Sequence, residues 1–321
     1  MLPGLTGLRF LLAALVVLFH YTKGRQMPGP EPWLNLVAVG DSAVTGFFVL
    51  SGFVLAKTYL LPDGTMKGTW KGFWTARFAR IYPIYALSLI LVAQAYLTTA
   101  PRTVPEVLWA AGTAVTLTQA WWPDTALAIN SAAWSLSVEA FLYLVFPVLA
   151  PAVRGRAAVV LALAAVAAFV VTPWNSYNPL CHLPAFAAGI AGYQLRQNWA
   201  WLTGASAAAI VAVLGWAGNW EGLLLLPYVG LVMGLAAQEA WLGSNTMVHL
   251  GEASYSLYLL HLPLWPWGMA LNAATFRFSP DSWEFVALCF GVSLLGSLVA
   301  YRFVEEPYRK ALRGMPQLKH S

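Results

Sequence analysis

Eleven predominantly apolar stretches follow one another along this chain, near residues 5–21, 36–60, 79–98, 106–121, 134–150, 157–173, 182–195, 200–217, 222–239, 254–272 and 284–304. A helix needs roughly 20 residues to cross about 30 Å of hydrocarbon, so this spacing predicts an all-α polytopic membrane protein. The charges agree. Only 10% of the 321 residues are charged and 59% are hydrophobic, whereas a soluble globular domain carries about 25% charged residues. A disordered chain and an ordinary soluble enzyme are excluded. The formal charge of +5 does not indicate nucleic-acid binding, because the basic residues lie in short clusters between apolar runs, where membrane topology accounts for them. Cys181 and Cys289 form neither a disulfide framework nor a metal-ligand cluster. The first stretch is read as a retained span, since Tyr21, Lys23 and Arg25 stand where a signal peptide would carry small cleavage-site residues.

The fourth stretch is the weakest span, bracketed by Pro101, Pro105 and Pro123 and ending in Trp121-Trp122. Lys and Arg accumulate in cytoplasmic loops, which decides its fate. If it stays at the outer interface or re-enters, and the N-terminus is cytoplasmic, 14 of the 18 basic residues fall inside, leaving Lys23, Arg25, Arg102 and Arg277 outside. If it crosses, 7 fall inside and 11 outside. The expected architecture is therefore about ten transmembrane helices in one bundle, plus one short interfacial or re-entrant segment, with both termini cytoplasmic in the inner (cytoplasmic) membrane. Residues 1–308 form the transmembrane domain and 309–321 a basic cytoplasmic tail.

Ionisable residues inside a span are costly and mark function by default. Arg9 and His20 stand eleven residues apart in the first span, which puts them on one helix face about 16 Å apart. The plainer readings are a snorkelling arginine and a hydrogen-bonded packing histidine. Glu139, in Trp134-Ser-Leu-Ser137-Val-Glu139, opens a span entering from outside, at the depth expected for His20, where a carboxylate would orient an imidazole acting as a base. Its plainer reading is a helix-dipole contact. Arg77 and Arg80, followed by Tyr82, share a helix face at the cytoplasmic start of the third span and suit phosphate groups; topology alone would also explain them. In Phe47-Phe48-Val-Leu-Ser51-Gly52 the small residues point to close helix packing, and Ser51 to a bound group. His261 lies mid-span two residues before Pro263, which frees a nearby carbonyl. Glu305-Glu306-Pro307 ends the last span, where an ion pair with Arg9 or the arginine pair is the simplest role.

In this order the motifs resemble the integral-membrane acyltransferase-3 family, bacterial membrane O-acyltransferases that modify surface glycans and other exported acceptors. The resemblance rests on Arg9-x10-His20, Phe47-Phe48-x-x-Ser51-Gly52, Arg77-x-x-Arg80, Trp134 to Glu139, Tyr-Leu-Leu-His261 and Phe303-Val-Glu305-x-Pro307. It implies a ten-helix core, acyl-CoA donors, and a catalytic role for His20 supported by Arg9, Glu139 and the arginine pair. Thr6, Thr45 and Ala140 stand where the family's pattern carries acidic residues.

The expected function is transfer of an acyl group, foremost acetyl, from cytoplasmic acyl-CoA to a hydroxyl of an exported glycan or lipid-linked sugar. His20 is the general base or a transient acyl carrier, with Glu139 and Arg9 beside it. Arg77, Arg80, Tyr82, Ser51 and Phe48 are expected to hold the donor. Trp134, Ser137, His261 and Glu305 are candidate acceptor or supporting residues. Neither a metal nor a bound cofactor is expected, acyl-CoA being a co-substrate; the remaining partners are the glycan acceptor and membrane lipids. The rival class is a transporter or proton-coupled carrier using Arg, His and Glu as a relay, though inverted halves are not evident; a lipid-binding scaffold is a third option.

Overall fold

The computed structural model describes residues 2–153, 177–195, 202–216, 224–237 and 241–314. The apolar stretch at 157–173, the basic residues Arg154, Arg156, Arg196 and Lys319, and the last part of the expected tail lie outside these. The described secondary structure is helical apart from one isolated bridge between Leu60 and Met66. Five helical segments are long and apolar enough to cross a membrane: Pro3–Thr22, Gly40–Tyr59, Trp70–Thr99, Ser131–Ala152 and Trp283–Ala311.

We number the described helices α1 (Pro3–Thr22), α2 (Glu31–Ala38), α3 (Ala43–Tyr59), α4 (Trp70–Thr99), α5 (Val104–Val115), α6 (Trp134–Ala152), α7 (Pro179–Gln194), α8 (Leu202–Trp216), α9 (Leu225–Ala237), α10 (Asn245–Leu271), α11 (Trp283–Ala300) and α12 (Glu306–Gly314). Helix α1 packs mainly on α10, α10 on α11, and α3 on α7. Backbone approach explains two of these seams. A Cβ on Gly251 would stand 1.9 Å from the Thr6 carbonyl oxygen, and one on Gly52 would stand 2.1 Å from that of Phe186. Small residues let membrane helices touch at the main chain, where van der Waals contact replaces the hydrophobic effect as the packing force.

Prolines inside the helices remove donors, and the freed carbonyls find partners from elsewhere in the chain. Pro263 leaves Leu259 without its amide partner, and Asn130 Nδ2 donates to that oxygen at 3.1 Å. Pro147 does the same to Tyr143, whose carbonyl accepts from Trp74 Nε1 at 3.0 Å. Such repair is what allows a proline inside an apolar span.

The fourth apolar stretch starts and finishes on the same side of the helix bundle. The first turn of α4 lies beside the second half of α6, with Phe73 stacked on Phe146 at 5.0 Å between centroids. The two helices therefore run antiparallel, so α4 ends and α6 begins on one side of the bundle. Helix α5 and its flanks, residues 100–133, start and finish there. At 12 residues α5 is about 18 Å long, too short to cross. Its last carbonyls, Ala114 and Val115, accept from the Tyr85 and Tyr82 hydroxyls at 2.8 and 3.0 Å.

Candidate active site

Arg9 on α1, Ser51 and Phe48 on α3, Glu139 and Ser135 on α6, and Tyr255 and Tyr258 on α10 line one internal cavity. Its volume is about 70 Å³, far below the several hundred Å³ of a site that encloses a drug-sized ligand. It has room for no more than a few water-sized groups. Arg9 makes no hydrogen bond or ion pair with another described residue, so its guanidinium is available to an oxygen entering the cavity. Around it stand the charges of Arg80, Glu139 and Glu305. Arginines and glutamates thus share one largely apolar region, with Arg309 beside Glu305 adding to the positive side.

Each anion has its own partner. The Tyr143 hydroxyl, one turn along α6, donates to Glu139 Oε1. Glu305 is 2% exposed; its Oε2 accepts from Ser256 at 2.8 Å and its Oε1 lies 3.6 Å from Arg309. The expected ion pair at Glu305 is therefore made with Arg309, while Arg9 and Arg80 act on it only through space. A π-helical stretch over Tyr301–Glu305 turns this carboxylate into the bundle, a distortion that often accompanies functional sites.

His20 lies at the far end of α1 from Arg9. Its Nδ1 meets the Val16 carbonyl at 2.9 Å. A carbonyl only accepts, so Nδ1 carries the hydrogen and Nε2 presents a lone pair. The neighbouring imidazole is His261, with ring centroids 4.9 Å apart. His261 Nδ1 is held by the Tyr258 carbonyl at 2.7 Å, and its buried Nε2 has no hydrogen-bond partner.

The expected pairing of His20 with Glu139 is not formed among the described residues. The reason is helix direction. Ser135 on α6 and Tyr258 on α10 meet through their hydroxyls at 2.7 Å, and the two helices run antiparallel from there. Glu139 lies one turn along α6 and His261 one turn along α10 in the opposite sense. The two levels separate by about 10 Å. Glu139 consequently belongs to the level of Arg9, and His261 to that of His20.

The other sequence candidates divide between cavity and scaffold. Arg77 lies 5.3 Å over the Tyr59 ring, with a buried Nε that has no hydrogen-bond partner. Tyr82, expected to touch the donor, donates its hydroxyl to Val115 instead. Ser137 accepts from the Ala120 amide at 3.2 Å and so fixes the turn after α5. Trp134 packs against Phe48 and His182. Of the replaced acidic positions, Thr6 bonds its own helix at Leu2, and the buried Thr45 hydroxyl has no partner.

Sequence reading gave no site role to Tyr143, Tyr255, Tyr258, Ser135 or Tyr21. The Glu139-x-x-x-Tyr143 spacing places both on one helix face and was a usable signal. Tyr255 and Tyr258, three residues apart on α10, carried the same one; Tyr255 donates to the Ile81 carbonyl at 2.5 Å. A second, open groove of about 660 Å³ lies between Trp109, Trp121 and Trp122. Trp109 bonds Asp124 and Thr116 bonds Gly112 there, and the exposed aromatic surface suits an interfacial belt.

The sequence model of an acyltransferase domain, the acyltransferase-3 family, matches residues 2–302. Acyltransferase MdmB of Streptomyces mycarofaciens is 27% identical over 362 residues, covering 97% of this chain and 92% of that protein. Protein 2 in the picA locus of Rhizobium radiobacter is 41% identical over 91 residues, 28% of this chain and 42% of its own. The Staphylococcus aureus (strain COL) protein SACOL0978, whose name proposes an O-acetyltransferase, is 28% identical over 159 residues, 46% of this chain and 24% of its own. No solved structure matches. A match that runs through every described helix except α12, and a relative aligned almost end to end, place the chain in the acyltransferase-3 family of acyltransferases.

Proposed function

We propose that this acyltransferase moves an acetyl group from cytoplasmic acetyl-CoA to a hydroxyl of an exported glycan or lipid-linked sugar, with His20 as the general base. The observation that carries this reading is the Nε2 of His20, left with its lone pair outward by the Val16 contact, on the same helix as an arginine that faces a cavity. Arg77 and Arg80 hold the CoA phosphates, because guanidinium groups match phosphate oxygens and remain charged in an apolar setting. The pantetheine arm follows α1 from the level of Arg9, past Ser51 and Phe48, towards His20. The space there is small, so donor entry requires α1, α3 and α10 to part. Glu139 acts at the donor end, where with Glu305 it offsets Arg9 and Arg80.

At His20 the acceptor hydroxyl gives its proton to Nε2 as its oxygen bonds to the thioester carbonyl carbon. The carbon–sulfur bond then breaks, and the CoA thiolate leaves towards the cytoplasm. The enzyme lies in the cytoplasmic membrane with the Arg9 end of α1 inward. Purified protein supplied with radiolabelled acetyl-CoA and the envelope fraction of a strain lacking the gene should label that fraction. His20→Ala should lower the rate by about 10²–10⁴-fold, the usual contribution of a positioned base, while eluting as a folded monodisperse species. Full activity in His20→Ala would remove the assigned base.

A further inference from the structure

We infer that His261 is the positioning partner of the catalytic imidazole, receiving a hydrogen bond from His20 once that ring has taken the acceptor's proton. The inference rests on the function proposed above and assigns to a second histidine the part that sequence reading gave to Glu139. Three observations carry it. The two rings are adjacent, 4.9 Å between centroids. Both Nδ1 atoms are committed to main-chain carbonyls, Val16 for His20 and Tyr258 for His261, so both rings hold the tautomer with a bare Nε2. His261 is 0% exposed and its Nε2 has no partner.

A buried polar atom without a partner is rare in native structures and calls for a reason. Here the reason is protonation. Two neutral rings with bare Nε2 atoms cannot bond one another, but once a proton enters the pair the adjacent rings can turn to share it in an N–H···N bond. The pair therefore becomes satisfied only in the state that follows proton abstraction. Stabilisation present after the proton moves and absent before it accelerates the step that moves it. The pair is also held in place. The Tyr21 hydroxyl, next in sequence to His20, donates to the His261 carbonyl at 2.7 Å and meets Ser293 at 2.5 Å, so α1, α10 and α11 are tied at this level.

The atoms balance without any further reagent. The proton leaves the acceptor hydroxyl for His20 and is shared with His261 while the ester bond forms and the carbon–sulfur bond breaks. It then passes to the departing thiolate, giving CoA, and both imidazoles return neutral.

The test compares wild type, His20→Ala, His261→Phe and His261→Gln with radiolabelled acetyl-CoA and the acceptor-bearing envelope fraction, measuring kcat and KM for each substrate. Phenylalanine keeps the ring and removes the acceptor; glutamine returns a hydrogen-bonding oxygen at similar reach. The expected result is a kcat lowered about 30-fold or more in His261→Phe with KM for acetyl-CoA within twofold, and recovery to within about fivefold of wild type in His261→Gln. Phenylalanine as active as wild type, or glutamine no better than phenylalanine, overturns the inference while leaving His20 in its role. If wild type labels nothing, or His20→Ala keeps full activity, the proposed function fails and this inference with it. Elution profile and melting temperature of each variant separate loss of fold from loss of chemistry.

Discussion

The Tyr21 hydroxyl donates to the main-chain carbonyl of His261 at 2.7 Å, across 240 positions of sequence. Tyr21 is 0% exposed, and its oxygen also contacts Ser293. This one side chain therefore sets the spacing of α1 against α10 where the two histidines meet. Tyr21→Phe keeps the ring and its contact with Trp265, whose centroid lies 4.2 Å away, but leaves the Ser293 hydroxyl and one carbonyl lone pair unpaired. Removing a buried hydrogen bond in this way costs about 1–3 kcal/mol. The variant should melt several degrees lower in detergent and lose more activity than stability alone explains. An unchanged melting temperature would mean that the helices are aligned by apolar packing instead.

The helix seams make a sharper prediction. Gly251→Ala drives a methyl group into the Thr6 carbonyl, backbone against backbone, with no flexible side chain to yield. Overpacking of this kind costs about 1–3 kcal/mol, and here it also pushes α1 away from α10 on the Arg9 side. Gly112→Ala is the matched control, because nothing stands within 4 Å of its new Cβ. That change should be neutral, or stabilising by up to about 1 kcal/mol through helix propensity. Melting curves of the two variants should differ in sign or clearly in size; equal loss would show that α1 and α10 do not pack at Gly251.

Much of this was legible from residues alone, and the rest failed for a definable reason. Within one helix, spacing is geometry: eleven residues from Arg9 to His20 fix a common face, and the Ser51-Gly52 pair marks a wall and a packing seam together. Between helices, sequence offers only depth from the surface, and depth was not enough for Glu139. Whether it reaches His20 depends on the level at which α6 meets α10, which the Ser135–Tyr258 contact sets. The repairs of proline-freed carbonyls were hidden in the same way. Pro263 announced a free oxygen nearby, but nothing local to it named Asn130 as the donor. For the fourth apolar stretch the charge tally and the helix contacts are independent of one another: positive residues bear on the side of each loop, whereas the Phe73–Phe146 stack bears on the direction of α4 against α6.

The orientation of the bundle can be read by cysteine labelling, and the structure chooses the positions. Lys67 lies in the loop before α4 and Ala100 at its far end, and both are exposed. Asp281 is exposed on the loop before α11, and that loop touches the end of α1: Arg25 donates to the Pro280 carbonyl at 3.0 Å and Trp283 Nε1 to that of Pro28 at 2.5 Å. With Cys181 and Cys289 replaced by Ala and Ser, Ala100→Cys and Asp281→Cys should react with an impermeant maleimide in intact spheroplasts. Lys67→Cys should react only after lysis. The Asp281 result carries the most weight. If α5 crossed, the loop tally would reverse after it, so Ala100→Cys would label from outside and Asp281→Cys from inside. Labelling of both from outside fits a segment that returns to its own side, and places Arg9, Arg77 and Arg80 at the face where a cytoplasmic phosphorylated donor arrives.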